Sequence, residues 1–120
     1  YSTPYMRVTT HQVTFHADAN ALNDVERIRK ALNTLVDACG LTKLEELTHR
    51  FTPQGISLVY ILAESHVAIH TWPEHSYAYI TLSSCATENI STEEITAISG
   101  DGFNATDTSV KLLEEEVSHV

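Results

Sequence analysis

The spacing of apolar residues predicts one long amphipathic helix early in the chain. Apolar side chains recur at steps of three and four from Leu22 to Cys39, and this spacing places them on one side of a helix. Asn20 is a favourable N-cap and Gly40 a favourable residue for ending a helix. The pattern therefore predicts a helix between residues 20 and 40 whose apolar side packs on a core.

Shorter runs of β-branched and apolar residues predict strands. The predicted strands are residues 7–15, 43–51, 56–63, 67–70, 77–84 and 109–117. The segment 52–55 contains Pro and Gly and predicts a turn, and the run at 56–63 is apolar enough for a central, buried strand.

A second, shorter helix is predicted after residue 90. Ser91 and Glu94 have the spacing of a capping box that opens a helix reaching about Ile98, and residues 100–108 form a polar loop. The predicted order is then β-α-β-β-β-β-α-β. This order favours an α+β fold, a two-layer sandwich with a mainly antiparallel sheet and two helices on one face. A sheet with one bare face also suggests a homodimer or a higher homo-oligomer.

Length and composition limit the classes of protein that this chain can belong to. The 120 residues suit a single domain, and 42% hydrophobic with 19% charged residues is ordinary for a globular protein. A formal net charge of −9 disfavours nucleic acid and anionic membranes as partners, but it is compatible with a cationic small molecule. No apolar run is long enough for a membrane span, and no secretory signal or dense cysteine framework is evident, so a cytoplasmic, reduced location is expected.

The chemically richest stretch is residues 64–74, Glu-Ser-His-Val-Ala-Ile-His-Thr-Trp-Pro-Glu. A hydroxyl near an imidazole can act as a nucleophile because a general base can accept its proton. On a strand, however, side chains five residues apart point to opposite faces. Ser65 and His70 can therefore act together only if the strand is broken or twisted near Ser65.

Two other interpretations of this stretch follow from the residue types alone. Ser65 can be an ordinary strand serine, with His66 and His70 serving as hydrogen-bonded residues of the sheet. Alternatively, Glu64, His66 and His70 share one face of a strand and, with Glu74 and His75 nearby, could bind zinc or iron through nitrogen and oxygen atoms. Their spacing matches no strong metal-binding signature.

Three segments in the same order closely resemble the small prokaryotic S-adenosylmethionine decarboxylase proenzymes. Residues 64–74 are similar to the self-cleavage segment of that family. Residues 49–57, His-Arg-Phe-Thr-Pro-Gln-Gly-Ile-Ser, resemble its H-x-F-x-P-x-G-V-S stretch, and residues 77–85 resemble the strand that ends in its catalytic cysteine. The resemblance covers residues 7–86 and implies the fold predicted above.

The resemblance implies that the chain makes its own cofactor. Ser65 would attack the carbonyl of Glu64, and the chain would separate into a β chain of residues 1–64 and an α chain of residues 65–120. The α chain would begin with a covalent pyruvoyl group derived from Ser65, which forms a Schiff base with the substrate. By position, His70 and Ser57 match the residues that assist processing. No metal is implied.

The resemblance also implies roles in substrate chemistry. Cys85 matches the residue that protonates the product carbon, and an ordinary thiol carries its proton at neutral pH. Phe51 and Trp72 match aromatic residues that stack on adenine, and Glu74 matches the carboxylate that accepts hydrogen bonds from the ribose hydroxyls. The implied reaction is decarboxylation of S-adenosylmethionine for polyamine biosynthesis. Without the resemblance, Phe51 and Trp72 would be interpreted as core residues and Glu74 as a turn-capping charge.

Several positions depart from the family pattern, and they leave alternatives open for the substrate. The acid expected at the end of the first strand is absent after His11, Thr81 replaces an acid of a later strand, and Ala86 replaces a glycine. Relatives with the same pyruvoyl group decarboxylate L-arginine or L-ornithine, and a changed pocket is compatible with such a substrate. A further alternative is a non-catalytic, unprocessed paralogue that acts as a binding protein.

Overall fold

A computed structural model of the chain describes residues 5–85 and 90–118. The elements in chain order are β1 (Tyr5–His16), α1 (Ala19–Leu22), α2 (Val25–Ala38), β2 (Lys43–Arg50), β3 (Ile56–Leu62), β4 (Ser65–Trp72), a 3₁₀ turn (Pro73–His75), β5 (Tyr77–Ser84), α3 (Thr92–Phe103) and β6 (Thr106–Ser118). The six predicted strands are all present, and three of them, β1, β4 and β6, are longer than predicted.

The strands form one antiparallel sheet in the order β2-β3-β4-β5-β1-β6. Strands β2 to β5 follow one another as a meander, whereas β1 lies between β5 and β6. The helices α2 and α3 pack against each other, and their buried residues share one core with one face of the sheet. The predicted two-layer α+β fold is therefore confirmed.

Alternating burial along β3 distinguishes the two faces of the sheet. In β3, Ile56, Leu58, Tyr60 and Leu62 are buried against the helices, while the residues between them are more accessible. Burying a large apolar side chain stabilises the fold by about 1.5–3 kcal/mol, so this face supplies much of the stability. The fold therefore needs the helices on this face.

The opposite face of the sheet, called the open face below, carries apolar side chains in contact with solvent. Leu47, Ile61 and Leu113 are between 48% and 73% exposed, and strand register places all three on this face. They lie on β2, β3 and β6, so they are spread across the width of the sheet. Within the described ranges, no helix is long and apolar enough to cross a membrane.

The first predicted helix is wrong at its N-terminus. Asn20 does not cap the long helix but lies inside the short α1, whose N-cap is Asp18. Asp24 caps α2, because its carboxylate accepts hydrogen bonds from the backbone N–H groups of Glu26 and Arg27 at 3.1 and 3.2 Å. The apolar spacing continues across both helices, so spacing alone does not reveal the break between them.

The loop predicted at residues 100–108 is also wrong. Helix α3 continues to Phe103, and β6 begins at Thr106. Phe103 is fully buried and its ring stacks on Phe15 at 5.2 Å. At Gly102, a Cβ atom would lie 2.9 Å from the Cβ of Ala31, so glycine allows the close approach of α3 to α2. Packing between helices thus outweighs the low helix propensity of two glycines.

Candidate active site

Strand β4 distributes the chemically rich stretch over both faces of the sheet. Val67, Ile69 and Thr71 are buried on the helix side, whereas His70 and Trp72 lie on the open face. Ser65 lies on the same, helix-facing side of β4 as these three residues. At about 3.3 Å per residue, Ser65 and His70 are roughly 16 Å apart along the strand. The strand has no break that would bring them together within one chain.

His70 has a different hydroxyl partner. Strands β3 and β4 place Ser57 directly opposite His70, and Ser57 Oγ shares a hydrogen bond of 2.6 Å with His70 Nδ1. The donor in this bond depends on the tautomer of the imidazole. The pair is partly buried, so the imidazole has a defined position on the open face.

The Ser57–His70 pair forms the floor of a cavity of about 380 Å³, a volume within the range of small-molecule sites. The residues that line it are Phe51, Thr52, Pro53, Gln54, Gly55, Ser57, His70, Thr71, Trp72 and Glu74. Phe51 and Trp72 are 50% and 39% exposed, so both aromatic rings offer surface to a ligand. Glu74 is the one carboxylate among these residues, and it favours a cationic or hydroxyl-bearing ligand.

Neighbouring rings set the orientation of the two aromatic side chains. The His49 ring meets the Phe51 ring edge-on with centroids 4.5 Å apart. On the other side of the cavity, Trp72 lies 5.9 Å from Tyr77 and 6.3 Å from His70. These contacts hold large amphipathic surfaces in place without closing the cavity.

A second group of site residues lies at the other end of β4. The β3–β4 hairpin turns through Ala63 and Glu64, and Glu64 has a left-handed backbone with φ of 60°. The Cys85 thiol donates a hydrogen bond to the Glu64 carbonyl oxygen at 3.3 Å, and its sulfur lies 4.0 Å from Glu64 Oε1. Ser65 Oγ donates to Ser84 Oγ at 3.1 Å.

The predicted site residues thus form two separate groups in one chain. Five residues gather in the cavity: Phe51, Ser57, His70, Trp72 and Glu74. Three gather at the hairpin tip, which we call the junction: Glu64, Ser65 and Cys85. The junction contains the nucleophile, and the cavity contains the imidazole.

The second cysteine is chemically different from Cys85. Cys39 is the C-cap of α2 and packs against the core. Burial disfavours its thiolate and raises the pKa of Cys39 to about 11. A thiol in this environment is a poor nucleophile at neutral pH.

The structure does not support the metal-binding interpretation in the described parts of the chain. Within residues 5–85 and 90–118, no three or more His, Cys, Asp or Glu side chains lie close enough to hold one ion. His66 and His70 share the open face, but four residues of extended strand separate them by roughly 13 Å.

The structure adds residues that sequence reasoning missed. Residues 52–55 were predicted only as a turn, yet they form one wall of the cavity. Thr71 Oγ1 accepts a hydrogen bond from the Ile56 N–H at 3.0 Å and joins this wall to β4. Asn23 Oδ1 accepts one from the Gly55 N–H at 3.1 Å. No local pattern in the sequence indicates a contact across 32 residues, so the sequence did not predict this role of Asn23.

Comparison with known proteins identifies the family. The sequence model of the family described as S-adenosylmethionine decarboxylase matches residues 13–115. The chain belongs to the S-adenosylmethionine decarboxylase family. The resemblance seen in the sequence is therefore confirmed, and it extends beyond the three motifs into β6.

Individual members of the S-adenosylmethionine decarboxylase family are similar over roughly two thirds of the chain. An S-adenosylmethionine decarboxylase proenzyme of Methanococcus vannielii is 42% identical over 81 residues, which are 68% of this chain and 66% of that protein. One of Prochlorococcus marinus is 40% identical over 76 residues, 63% and 61% of the two chains. The chain thus matches slightly less than two thirds of the length of these relatives.

A solved member of the S-adenosylmethionine decarboxylase family has the same fold. The crystal structure of the adenosylmethionine decarboxylase from Aquifex aeolicus superposes with a TM-score of 0.75, covering 98% of this chain and 94% of that one. The sequences are 24% identical, so this likeness supports the architecture of sheet and helices only.

Proposed function

We propose that this chain is a self-processing decarboxylase that acts on S-adenosylmethionine. The observation that carries the proposal is the geometry of the junction. The Glu64 carbonyl accepts a hydrogen bond from the Cys85 thiol at 3.3 Å, and the next residue supplies the Ser65 hydroxyl. A hydrogen bond polarises this carbonyl towards attack. Two related proteins are named S-adenosylmethionine decarboxylase proenzymes, which supports both a precursor and this substrate.

The self-cleavage step uses only atoms of the chain. Ser65 Oγ attacks the Glu64 carbonyl carbon, the C–N bond between the residues breaks, and an ester with a free Ser65 amine results. Removal of the Ser65 Cα proton and cleavage of its Cβ–Oγ bond then release the new C-terminal carboxylate of Glu64, which keeps Oγ, and leave a dehydroalanine. Water converts the dehydroalanine to a pyruvoyl ketone and ammonia. The products are chains of residues 1–64 and 65–120.

Two features of the junction fit this step. The left-handed backbone of Glu64 costs a residue with a side chain about 1–2 kcal/mol, and cleavage releases that strain. Ser65 Oγ bonds Ser84 on the helix side of the sheet, so the hydroxyl must leave Ser84 and rotate before it attacks. The Ser65–Ser84 bond therefore belongs to the resting precursor.

Proton removal at the junction requires a second copy of the chain. The Ser57–His70 pair lies roughly 16 Å from Ser65 and on the other face of its own sheet. Two copies can stack open face to open face about a two-fold axis that lies between the sheets and crosses β4 near its middle. This arrangement places each end of β4 over the opposite end of the partner's β4. His70 and Ser57 of one copy then approach the junction of its partner. The apolar side chains of the open face support such a homodimer, which completes two sites at once.

The cavity supplies the recognition of the nucleoside. Phe51 and Trp72 present aromatic faces that suit adenine and a sulfonium cation. The Glu74 carboxylate suits the ribose diol, because a carboxylate can accept two hydrogen bonds. A flat base and a diol thus find complementary groups around one opening.

The residues around Ser65 also fit the decarboxylation. A pyruvoyl group at position 65 would supply a ketone for the substrate amine and an electron sink for the loss of carbon dioxide. Cys85, which is part of the junction, supplies the proton to the carbon that loses carbon dioxide. This role needs a thiol that carries a proton to donate.

Denaturing mass spectrometry of the purified protein tests the proposal. We expect two chains, of residues 1–64 and 65–120, with the second gaining mass on borohydride reduction of its terminal ketone. An intact chain with an unmodified serine at position 65 would reject self-processing and favour a binding protein.

Release of carbon dioxide from labelled substrates tests the specificity. We expect turnover of S-adenosylmethionine and none of L-arginine or L-ornithine, because the cavity offers aromatic faces and a single carboxylate. Turnover confined to either amino acid would keep the pyruvoyl chemistry and reject the nucleoside substrate.

A further inference from the structure

The wall of the cavity formed by residues 51–55 is a turn with few attachments. The Phe51 N–H donates to the Gly55 carbonyl at 2.9 Å and closes the turn. Residues Thr52 and Pro53 at its tip are exposed. The position of Phe51 relative to Trp72 therefore depends on how the base of this turn is held.

Gly55 is the buried anchor of the turn. It has φ of +106°, and a Cβ atom there would lie 3.2 Å from the Thr71 carbonyl oxygen. The Gly55 N–H donates a hydrogen bond to Asn23 Oδ1 at 3.1 Å. A buried N–H without an acceptor is costly, so Asn23 determines where this turn can rest.

Asn23 also belongs to an element that touches the opposite wall. It is the C-cap of α1, and α1 contacts both the 3₁₀ turn Pro73–His75 and β4. The Ala17 N–H just before α1 donates to the Ser76 carbonyl at 3.0 Å. The α1 segment is thus in contact with the wall that bears Glu74 and hydrogen-bonded to the wall that bears Phe51.

We propose that Asn23 is a positioning residue that sets the width of the ligand cavity by holding the Gly55 turn. It touches no ligand itself and acts through the backbone of residues 51–55. The effect of Asn23 on nucleoside binding rests on the function proposed above, whereas its effect on the position of the turn does not. The side chain must accept a hydrogen bond, so aspartate can replace asparagine and alanine cannot.

The test compares Asn23→Ala, Asn23→Asp and a matched control, Asn33→Ala. Asn33 is likewise an exposed asparagine whose Oδ1 accepts a hydrogen bond from a buried partner, the Tyr60 hydroxyl at 2.7 Å. It lies on α2 away from the cavity, so it reports the general effect of losing one such bond.

Amide hydrogen exchange of residues 51–57 provides a readout that needs no ligand. Asn23→Ala should speed exchange of this segment by roughly three- to tenfold, the equivalent of one lost hydrogen bond, whereas Asn23→Asp and Asn33→Ala should leave it within about twofold. Unchanged exchange in Asn23→Ala would overturn the proposal.

Substrate kinetics and binding provide the second readout. The chain has one tryptophan, Trp72, so its fluorescence reports ligand entry. With S-adenosylmethionine, Asn23→Ala should raise KM and Kd by roughly three- to tenfold with kcat nearly unchanged, and Asn23→Asp should restore both. An equal loss in Asn23→Ala and Asn33→Ala would overturn the proposal, because it would show a general loss of stability. If the wild-type protein binds no S-adenosylmethionine yet Asn23→Ala loosens the turn, the positioning role stands and the proposed substrate is rejected.

Discussion

Co-expression of two inactive variants tests whether the site is shared between two copies. Ser65→Ala removes the nucleophile, and His70→Ala removes the imidazole that lies in the cavity with Ser57. Within one chain, Ser65 and His70 are roughly 16 Å apart, several times the reach of about 3 Å that proton transfer requires. Each variant alone is therefore expected to remain unprocessed, whichever arrangement holds.

The expected result of mixing follows from two-fold symmetry. With equal expression, about half of the dimers contain one chain of each kind. In such a dimer, the His70→Ala chain keeps Ser65 and faces the intact His70 of its partner, so one of the two junctions is complete. About a quarter of all chains should then be cleaved, and every cleaved chain should carry His70→Ala.

Differently tagged chains and denaturing mass spectrometry measure this fraction. His66→Ala is the matched control, because it removes another imidazole from the open face of β4 and should be processed like the wild-type protein. Absence of cleavage in dimers shown by tandem purification to contain both tags would refute the shared site. Cleavage of His70→Ala by itself at the wild-type rate would refute the role of His70.

Three further predictions concern single residues. Cys85→Ala should still be cleaved but should lose at least roughly tenfold in kcat; full turnover, measured as carbon dioxide release, would remove Cys85 from the mechanism. Iodoacetamide at pH 8 should label Cys85 well before Cys39, because burial raises the pKa of Cys39 to about 11, and peptide mapping that finds Cys39 labelled first would contradict this. Hydrogen bonds from Arg29, at 2.8 and 2.9 Å, and from Lys43 lower the pKa of Glu46 from 4.5 to about 2. Since the charged form is the one stabilised, its contribution is complete above pH 4.5 and is lost as the pH falls towards 2. Glu46→Gln should thus lower the free energy of unfolding by about 1–2 kcal/mol at pH 7, and in urea unfolding at several pH values this difference should shrink below pH 4.5.

Much of the local structure could be predicted because its signals involve neighbouring residues. The apolar stripe of α2 and the Ser91 capping box have periods of three to four residues, and alternation along β3 has a period of two. The same alternation predicted that Ser65 and His70 point to opposite faces, as they do in the sheet. The site residues themselves came from the family resemblance, and their roles stay predictions.

The errors have a common physical origin in contacts between distant segments. Helix α3 continues through Gly100 and Gly102 because Phe103 packs on Phe15 and Gly102 on Ala31. Neither contact leaves a trace within residues 91–104. The break between α1 and α2 is similar. Asp18 caps α1 and Asp24 caps α2, but the spacing of apolar residues is the same on both sides of the break.

The sequence by itself determined the family, the strands and the long helix, because periodicity, caps and motifs act over a few residues. Only the tertiary structure decided which strands are neighbours, with β1 between β5 and β6, and which site residues meet. It paired His70 with Ser57 and Ser65 with Ser84, and it placed Asn23 under the turn at Gly55. These pairings depend on packing and hydrogen bonding between segments far apart in the chain, and local preferences carry no information about such contacts.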